Sequence, residues 1–453
     1  MKKFLPLSLF LLCFSIHTLK SSVANVSFSS LDYALNPRIL LNQISQASNS
    51  QGTLNKTFGT SGTTYVNPPI GTANTEPIGF ALQSDGKIVL SESSQINSIY
   101  RFSAVRFLAN SSTLDVSFGT NGKFYGPVIG ASATSNECRC LALQSNGKII
   151  LAGITTIGGT TYFALMRLTT SGALDTTFAN GVGYTYIPAA ISGGGTNDVI
   201  HCIVIQSDDK IVVAGTSNNY FALARYTSAG VLDTTFGTNG TTYITPRIAG
   251  GTVDIAYGIG LQSDGKIIVA GRSNNGGNTY FSCARFTTAG VLDTTFANNG
   301  STFLTPPIGG GTTAICRSLC VNTDDSFILA GYANNGFTTR FALAGYTKNG
   351  ALNPSFGTNG TVFLSFNIAG AADDRIYTLQ RQSDGKIIAG GYSSNGANLR
   401  FAFARFTRNG VLDTTFGSSK NGTVFLSNSI AGGSDICYGL ATTENTFTAG
   451  GSS

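Results

Sequence analysis

Apolar and polar residues alternate along most of this chain in short runs, each broken by Gly, Asn, Asp or Ser. In DIAYGIGLQ, Ile255, Tyr257, Ile259 and Leu261 fall on one face and Ala256, Gly258 and Gly260 on the other. YFALARY likewise sets Phe221, Leu223 and Arg225 against Ala222 and Ala224. A period of two predicts β-strands, and each sheet gains a bulky face and a flat one. Four strands emerge per unit: TTYITP from Thr241, DIAYGIGLQ from Asp254, KIIVAG from Lys266 and YFSCARF from Tyr280. The intervening SDG predicts a tight hairpin, because Asp-Gly tolerates the positive φ of such turns.

The unit recurs. GVLDTTF at Gly230 returns at Gly290 and Gly410, and its Leu recurs at Leu54, Leu114, Leu174, Leu232, Leu292, Leu352 and Leu412, in steps of 60, 60, 58, 60, 60 and 60. QSDGKI also counts seven, at Gln83, Gln144, Gln206, Gln262 and Gln382, with worn copies at Asn322 (NTDDSFI) and Thr442 (TTENTFT). Seven four-stranded sheets stacked bulky face onto flat face predict an all-β, seven-bladed β-propeller of about 60-residue repeats. The FALARF strand occurs only six times, so PRILLNQISQ at Pro37–Gln46 is expected to supply the seventh and close the ring. The domain reading is a signal peptide over 1–24, then one propeller over 25–453, with a closing segment at 25–53 and repeats from about 54. The link TSAGVLDTTFGTNG is the longest, which predicts a blade-to-blade crossover and makes TTYITP the channel-lining strand.

LQSDGKIIVAG, YFALARYTSAGVLDTTFGTNG and the period together resemble the delta-60 repeat family of secreted or surface bacterial proteins, over residues 51 to 451. The resemblance implies a propeller and no defined activity. The chain departs from the pattern at Gly345, which replaces the motif Arg, at the two worn hairpins and at the N-terminal strand.

Comparison of the copies picks out a pair. Arg106, Arg167, Arg225, Arg285 and Arg405 are followed eight or nine residues on by Asp115, Asp175, Asp233, Asp293 and Asp413. Where Arg becomes Gly345, Asp becomes Asn353; where the aligned residue is Ala47, Asn55 stands. Joint loss predicts a structural ion pair, with Asn still able to hold the turn.

Composition narrows the chemistry. MKKFLPLSLFLLCFSI and the small residues Ser22 and Ala24 read as a signal peptide cut after Ala24, sending the chain to the periplasm, the cell surface or the medium. No later stretch is long and apolar enough for a membrane helix. Losing Lys2, Lys3 and Lys20 lowers the net charge from +6 to +3, too little to point to nucleic acid. The only histidines are His17 and His201, and there is no Trp, so imidazole catalysis, histidine metal clusters and Trp sugar platforms lack their residues. Cys140 and Cys202 sit at flat-face positions and read as packed thiols. No cofactor or catalytic residue is expected; the chain reads as a monomeric binding scaffold for a protein or glycan.

A candidate ligand face follows from strand direction. The SDG hairpins and LDTTFG links share one side and are nearly identical between copies, whereas the Gly-rich and NNG loops on the other side vary. That side carries Asp198, Asp254, Asp374 and Asp435, and near it, five residues before each motif Gln, stand Ile78, Arg139, His201, Tyr257, Arg317 and Tyr377. The alternative is a carbohydrate-active enzyme or glycan binder using those four carboxylates.

Overall fold

The alternating runs become strands because β-branched and aromatic side chains fit a pleated surface, and each run ends where a turn needs positive φ. In the SDG hairpin Gly265 has φ of 80°, Gln262 and Lys266 close the turn through their backbones at 2.9 Å, and Asp264 Oδ1 accepts the Lys266 N–H at 3.0 Å. The computed structural model describes residues 79–452 apart from 110, 194–196, 245–247, 306, 365–366, 371–372, 395, 427–433 and 443–445, together with the backbone of three earlier strands, Ile39–Ser45, Thr53–Leu54 and Thr63–Val66.

The fold is an all-β propeller containing six blades of four antiparallel strands. In one blade Asp254–Leu261, Ile267–Asn275, Asn278–Phe286 and Ser301–Phe303 lie side by side in chain order. The first strand of each sheet touches the first strands of its neighbours, so DIAYGIGL and its equivalents surround the axis. TTYITP is therefore not the channel-lining strand: Thr241–Tyr243 pairs with Tyr220–Tyr226 as the outer strand of the preceding blade. Length misled here. The LDTTFG link folds into a compact return, with Phe236 N–H on Asp233 O at 3.0 Å and Gly240 N–H on Phe236 O at 2.8 Å, and the Gly-rich loop makes the crossover. The Arg accordingly lies on the third strand, and its Asp in the turn to the outer strand of the same blade.

A further sheet joins the two ends of the chain. Ile436–Thr442 and Thr446–Ser452 pair with each other, and Ile39–Ser45 pairs with Thr446–Ser452 from Ile39↔Ser452 to Ser45↔Thr446. Thr63–Val66 and Thr53–Leu54 add to the far side of Ile39–Ser45.

The cores lie between sheets. Phe163, Leu165 and Phe178 of the second sheet, with Cys140 and Ala152, pack on Ile200, Ile203, Val213 and Tyr226 of the third. Cys138, Cys140, Cys202, Cys283, Cys316 and Cys437 are buried and Cys320 half-buried, all unbridged. Burial pushes the Cys138 and Cys316 thiols up to about 12.

Four of the sheets are fastened to the next by a buried guanidinium. Arg225 Nε donates to Asp233 Oδ2 at 2.8 Å, Nη2 to Thr235 Oγ1 at 3.2 Å and Nη1 to the Thr288 carbonyl of the next blade at 2.5 Å, while the guanidinium lies 4.7 Å over the Phe236 ring. Arg106–Asp115, Arg167–Asp175, Arg285–Asp293 and Arg405–Asp413 repeat the ion pair at 2.7–2.9 Å. The hairpin Gln and Lys join the same network: Arg285 Nη1 reaches Gln262 Oε1 at 3.2 Å, Gln262 Nε2 reaches the Lys348 carbonyl across the interface at 2.9 Å, and Lys266 lies 3.6 Å from Asp293. In the fifth blade Gly345 and Asn353 have no such pair, but the Ser355 N–H still bonds Asn353 Oδ1 at 3.1 Å. Ala47 and Asn55 lie outside the described residues. Burial raises the staple carboxylates, yet hydroxyl, Lys and Arg donors outweigh it, and Asp413 settles at about 2 through Thr415, Lys386 and Arg405.

Two outcomes follow. Deleting residues 25–50 strips Thr446–Ser452 of its partner, and the melting midpoint should fall by more than about 5 °C or the protein should aggregate; a truncated chain that melts like the parent shows that this pairing contributes nothing. Asp233→Ala should cost more in the presence of Arg225 than in an Arg225→Met background, with a coupling on the order of 1 kcal/mol from urea unfolding. Because the staple carboxylates lie below their unfolded values, their contribution is complete above pH about 4 and is lost as pH falls through the folded values, so the coupling should shrink in acid.

Candidate functional site

Every complete inner strand carries a β-bulge at one position, and its register shifts there: Cys138/Cys140, Ile200/Cys202, Ala256/Gly258, Cys316/Ser318, Ile376/Thr378 and Cys437/Gly439. The residues inside these shifts are Arg139, His201, Tyr257, Arg317, Tyr377 and Tyr438. A bulge leaves one residue outside the ladder and re-aims its side chain. The glycine opposite makes the room: a Cβ on Gly271 would collide with the Ile255 carbonyl, and one on Gly331 with that of Ile315.

The re-aimed side chains meet around the axis. His201 and Tyr257 stand edge to face at 5.1 Å, the Arg317 guanidinium lies 4.5 Å over Tyr257 and 5.5 Å from Tyr377, and Tyr377 meets Tyr438 at 5.3 Å. Arg317 also donates to the Tyr332 hydroxyl at 3.1 Å. Toward the Gly-rich side Arg375 covers Tyr332 at 4.8 Å and holds Asp373 at 2.9 Å, and Asp373 accepts the Tyr392 hydroxyl at 2.8 Å. Arg139 is neutralised by Glu137 at 2.6 Å; the half-buried Arg272 forms no ion pair among the described residues. Burial first, then the charges of Arg139, Arg317 and Arg272, push the His201 imidazole well below its ordinary value, so it is neutral. The cluster is cationic and aromatic, suited to an anionic group arriving from the Gly-rich side. Ile78 lies outside the described residues.

The four loop acids are not at that surface. Asp198 and Asp254 are 1% exposed, and Asp374 and Asp435 fully buried. Each of the first three stands opposite a serine of the second strand, Ser217, Ser273 or Ser393, and holds the crossover: Asp198 Oδ2 accepts the Ile191 N–H at 3.0 Å and Asp254 Oδ2 the Ile248 N–H at 3.2 Å. In other copies the pair becomes Asn136 with Thr155, bonded at 2.8 Å, or Ala314 opposite Ala333. Burial pushes the Asp374 carboxyl up to about 6 against the Ser393 hydrogen bond and the Arg340 charge. No group of three or more His, Cys, Asp or Glu residues able to hold a metal occurs among the described residues, and no helix there is long and apolar enough to cross a membrane.

Sequence reasoning missed Arg272, Tyr332, Arg375, Tyr392 and Tyr438. Tyr438 was hidden by the worn motif: Thr442 pairs with Phe447 as Leu261 pairs with Ile267, so the motif begins at Thr443, and Tyr438 stands five before it. The others belong to positions that vary between copies with no motif to mark them.

A family model described as "Domain of unknown function (DUF5122) beta-propeller" matches residues 83–118, 144–178, 206–236, 262–296 and 382–416, each running from the hairpin motif to the link aromatic. No curated protein matches the chain in sequence. Among solved structures, Sqt1 from Chaetomium thermophilum, bound to the N-terminus of ribosomal protein L10, aligns at 10% identity over 83% of this chain and 94% of its own, with a TM-score of 0.44. An ulvan lyase of polysaccharide lyase family PL25 aligns at 10% identity over 74% and 82%, TM-score 0.42. YCF48 from Cyanidioschyzon merolae aligns at 9% over 84% and 97%, TM-score 0.42.

The neutrality of His201 is measurable. Its ring resonances should stay at neutral positions from about pH 7.5 down to about pH 5, whereas an exposed imidazole titrates near 6.5. Since the unfolded chain takes up that proton and the folded one does not, folding stability should fall as pH drops below about 6.5, and His201→Phe should remove that part of the loss. An ordinary titration of the ring would place His201 in contact with solvent.

Proposed function

We propose that this chain is a secreted or cell-surface binding scaffold of delta-60 repeats, a seven-bladed propeller that presents its axial Arg and Tyr cluster to an anionic group on a partner protein or glycan. The leader-like segment ending at Ala24 supports export, and the chain-end sheet supports a seventh blade: Ile39–Ser45 takes the third-strand place and Thr63–Val66 the outer one. The observation that carries the reading is the cluster itself, in which Arg317 stacks on tyrosines from three successive blades while Arg272 and Arg375 stand half-buried on the Gly-rich side. A carbohydrate-active reading based on Asp198, Asp254, Asp374 and Asp435 would need carboxylates that face solvent, and all four are buried.

The test is retention on immobilised polygalacturonate and polyglutamate. Wild type should be retained on at least one of the two and released by salt, and Arg272→Gln with Arg375→Gln should abolish retention without lowering the melting midpoint. Equal retention of the variant, or none by wild type on either matrix, overturns the axial site. Retention on only one matrix identifies the partner class.

A further inference from the structure

The fifth blade lacks the whole staple at once. Relative to the fourth, Gln262 becomes Asn322, Lys266 becomes Ser326, Arg285 becomes Gly345 and Asp293 becomes Asn353. The blades do not draw apart to compensate: the Gly357 N–H bonds the Asn409 carbonyl at 2.7 Å, as Gly237 bonds Ala289 at 2.7 Å. Phe356 keeps its seat against Gly410, as Phe296 does against Gly350, and leans onto Gly345. What remains is a cavity of about 300 Å³, lined among others by Asn322, Ser326, Gly345, Asn353 and Phe356 and by Arg381 and Arg408 from the sixth blade. That volume lies at the small end of ligand sites. Over the third and fourth blades a broader hollow of about 620 Å³ occurs at the same kind of junction, but there Arg225 is in place.

The intact copies show what such a seat holds. In them a guanidinium lies 4.6–4.8 Å over the link Phe and bonds a link hydroxyl, and in four of them the carbonyl of the next blade as well. At the fifth junction the ring remains as Phe356, the hydroxyl as Ser355, and the facing carbonyl belongs to Arg408, while the Asn353 amide oxygen accepts the Ser355 N–H. On the far wall Arg381 is half-buried and Arg408 exposed, neither in an ion pair among the described residues, and the carboxylates Asp324 and Asp384 line the same cavity. The cavity thus carries both signs of charge, and a ligand that carries both, a cation with its own carboxylate, matches it better than a bare ion of either sign.

We propose that this vacated seat binds a guanidino acid, the guanidinium on Phe356 and the carboxylate toward Arg381 and Arg408. Free arginine has this chemistry, and so does the C-terminal arginine of a peptide. The site lies on the hairpin side of the propeller and is independent of the axial cluster.

Calorimetric titration of the full chain distinguishes the cases. Arginine should bind saturably, citrulline, its uncharged isostere, at least tenfold more weakly, and agmatine, which lacks the carboxylate, also more weakly. Arg381→Gln should cost arginine about tenfold and should not weaken agmatine. Gly345→Arg with Asn353→Asp, which rebuilds the pair present in five other copies and pushes Phe356 off Gly345, should abolish binding. Tighter binding of Gly-Gly-Arg than of free arginine assigns the seat to a partner's C terminus, and the reverse order assigns it to the free amino acid. Equal binding of arginine and citrulline, no saturable binding of arginine or of Gly-Gly-Arg, or undiminished binding by the filled variant overturns the proposal.

Discussion

The structure depends on a charged group buried where two blades meet. A four-stranded sheet with both faces apolar is not stable alone; it needs a neighbour on each side and a fixed distance to it. At four junctions the staple guanidinium reinforces that distance, because its planar donors are divided between a carboxylate of its own blade and a carbonyl of the next, with an aromatic ring beneath, and at the fifth junction the backbone bond from Gly357 to Asn409 keeps it without a staple. Only one separation and one tilt satisfy all three. Removing the carboxylate alone leaves a desolvated cation, so the pair changes jointly or not at all. Gly345 and Asn353 are the observed joint change.

The two sides of the ring therefore carry different constraints. On the hairpin side Gln, Lys, Arg and Asp lock one another, and a single substitution disturbs four partners. On the opposite side the loops are latched by Asp and Ser pairs, which swap for Asn and Thr or for Ala and Ala without disturbing the ladder. Between the two, the bulge gives each inner strand one side chain that belongs to no ladder pair. Arg, His and Tyr are interchangeable there because the backbone is already shaped by the glycine opposite. Variation accumulates where the scaffold leaves it free, and that is where the cationic aromatic cluster has formed.

Much of this was legible in the chain. Alternation and the Asp-Gly hairpins expressed local rules, and the joint loss of Arg and Asp expressed a contact. The phase of the repeat was not legible: a cyclic order of four strands reads the same wherever the blade is cut, and only pairing of Thr241–Tyr243 with Tyr220–Tyr226 decides it. The loop acids looked ligand-facing because their serine partners lie some 19 residues away on another strand. The bulge was invisible for a similar reason, since the space it needs is provided by Gly215, Gly271, Gly331 and Gly391, which a strand pattern reads only as small residues.

The pairing of Ile39 with Ser452 sets the order in which the molecule can form. A chain made from its N-terminus presents Ile39–Ser45 first, and although Thr53–Leu54 and Thr63–Val66 pair with one of its edges, the other edge has no partner until Thr446–Ser452 follows. Each internal blade closes on contacts a few dozen residues apart, which is fast, whereas the last pairing spans nearly the whole sequence and is slow. Until then the nascent arc exposes an open strand at one end and an uncovered apolar sheet at the other, the surfaces through which chains add to one another. Because every thiol among the described residues is unbridged, no disulfide there holds an unfinished arc together. Completion is therefore a race between one long-range encounter and association with a neighbouring chain, and it favours dilute synthesis.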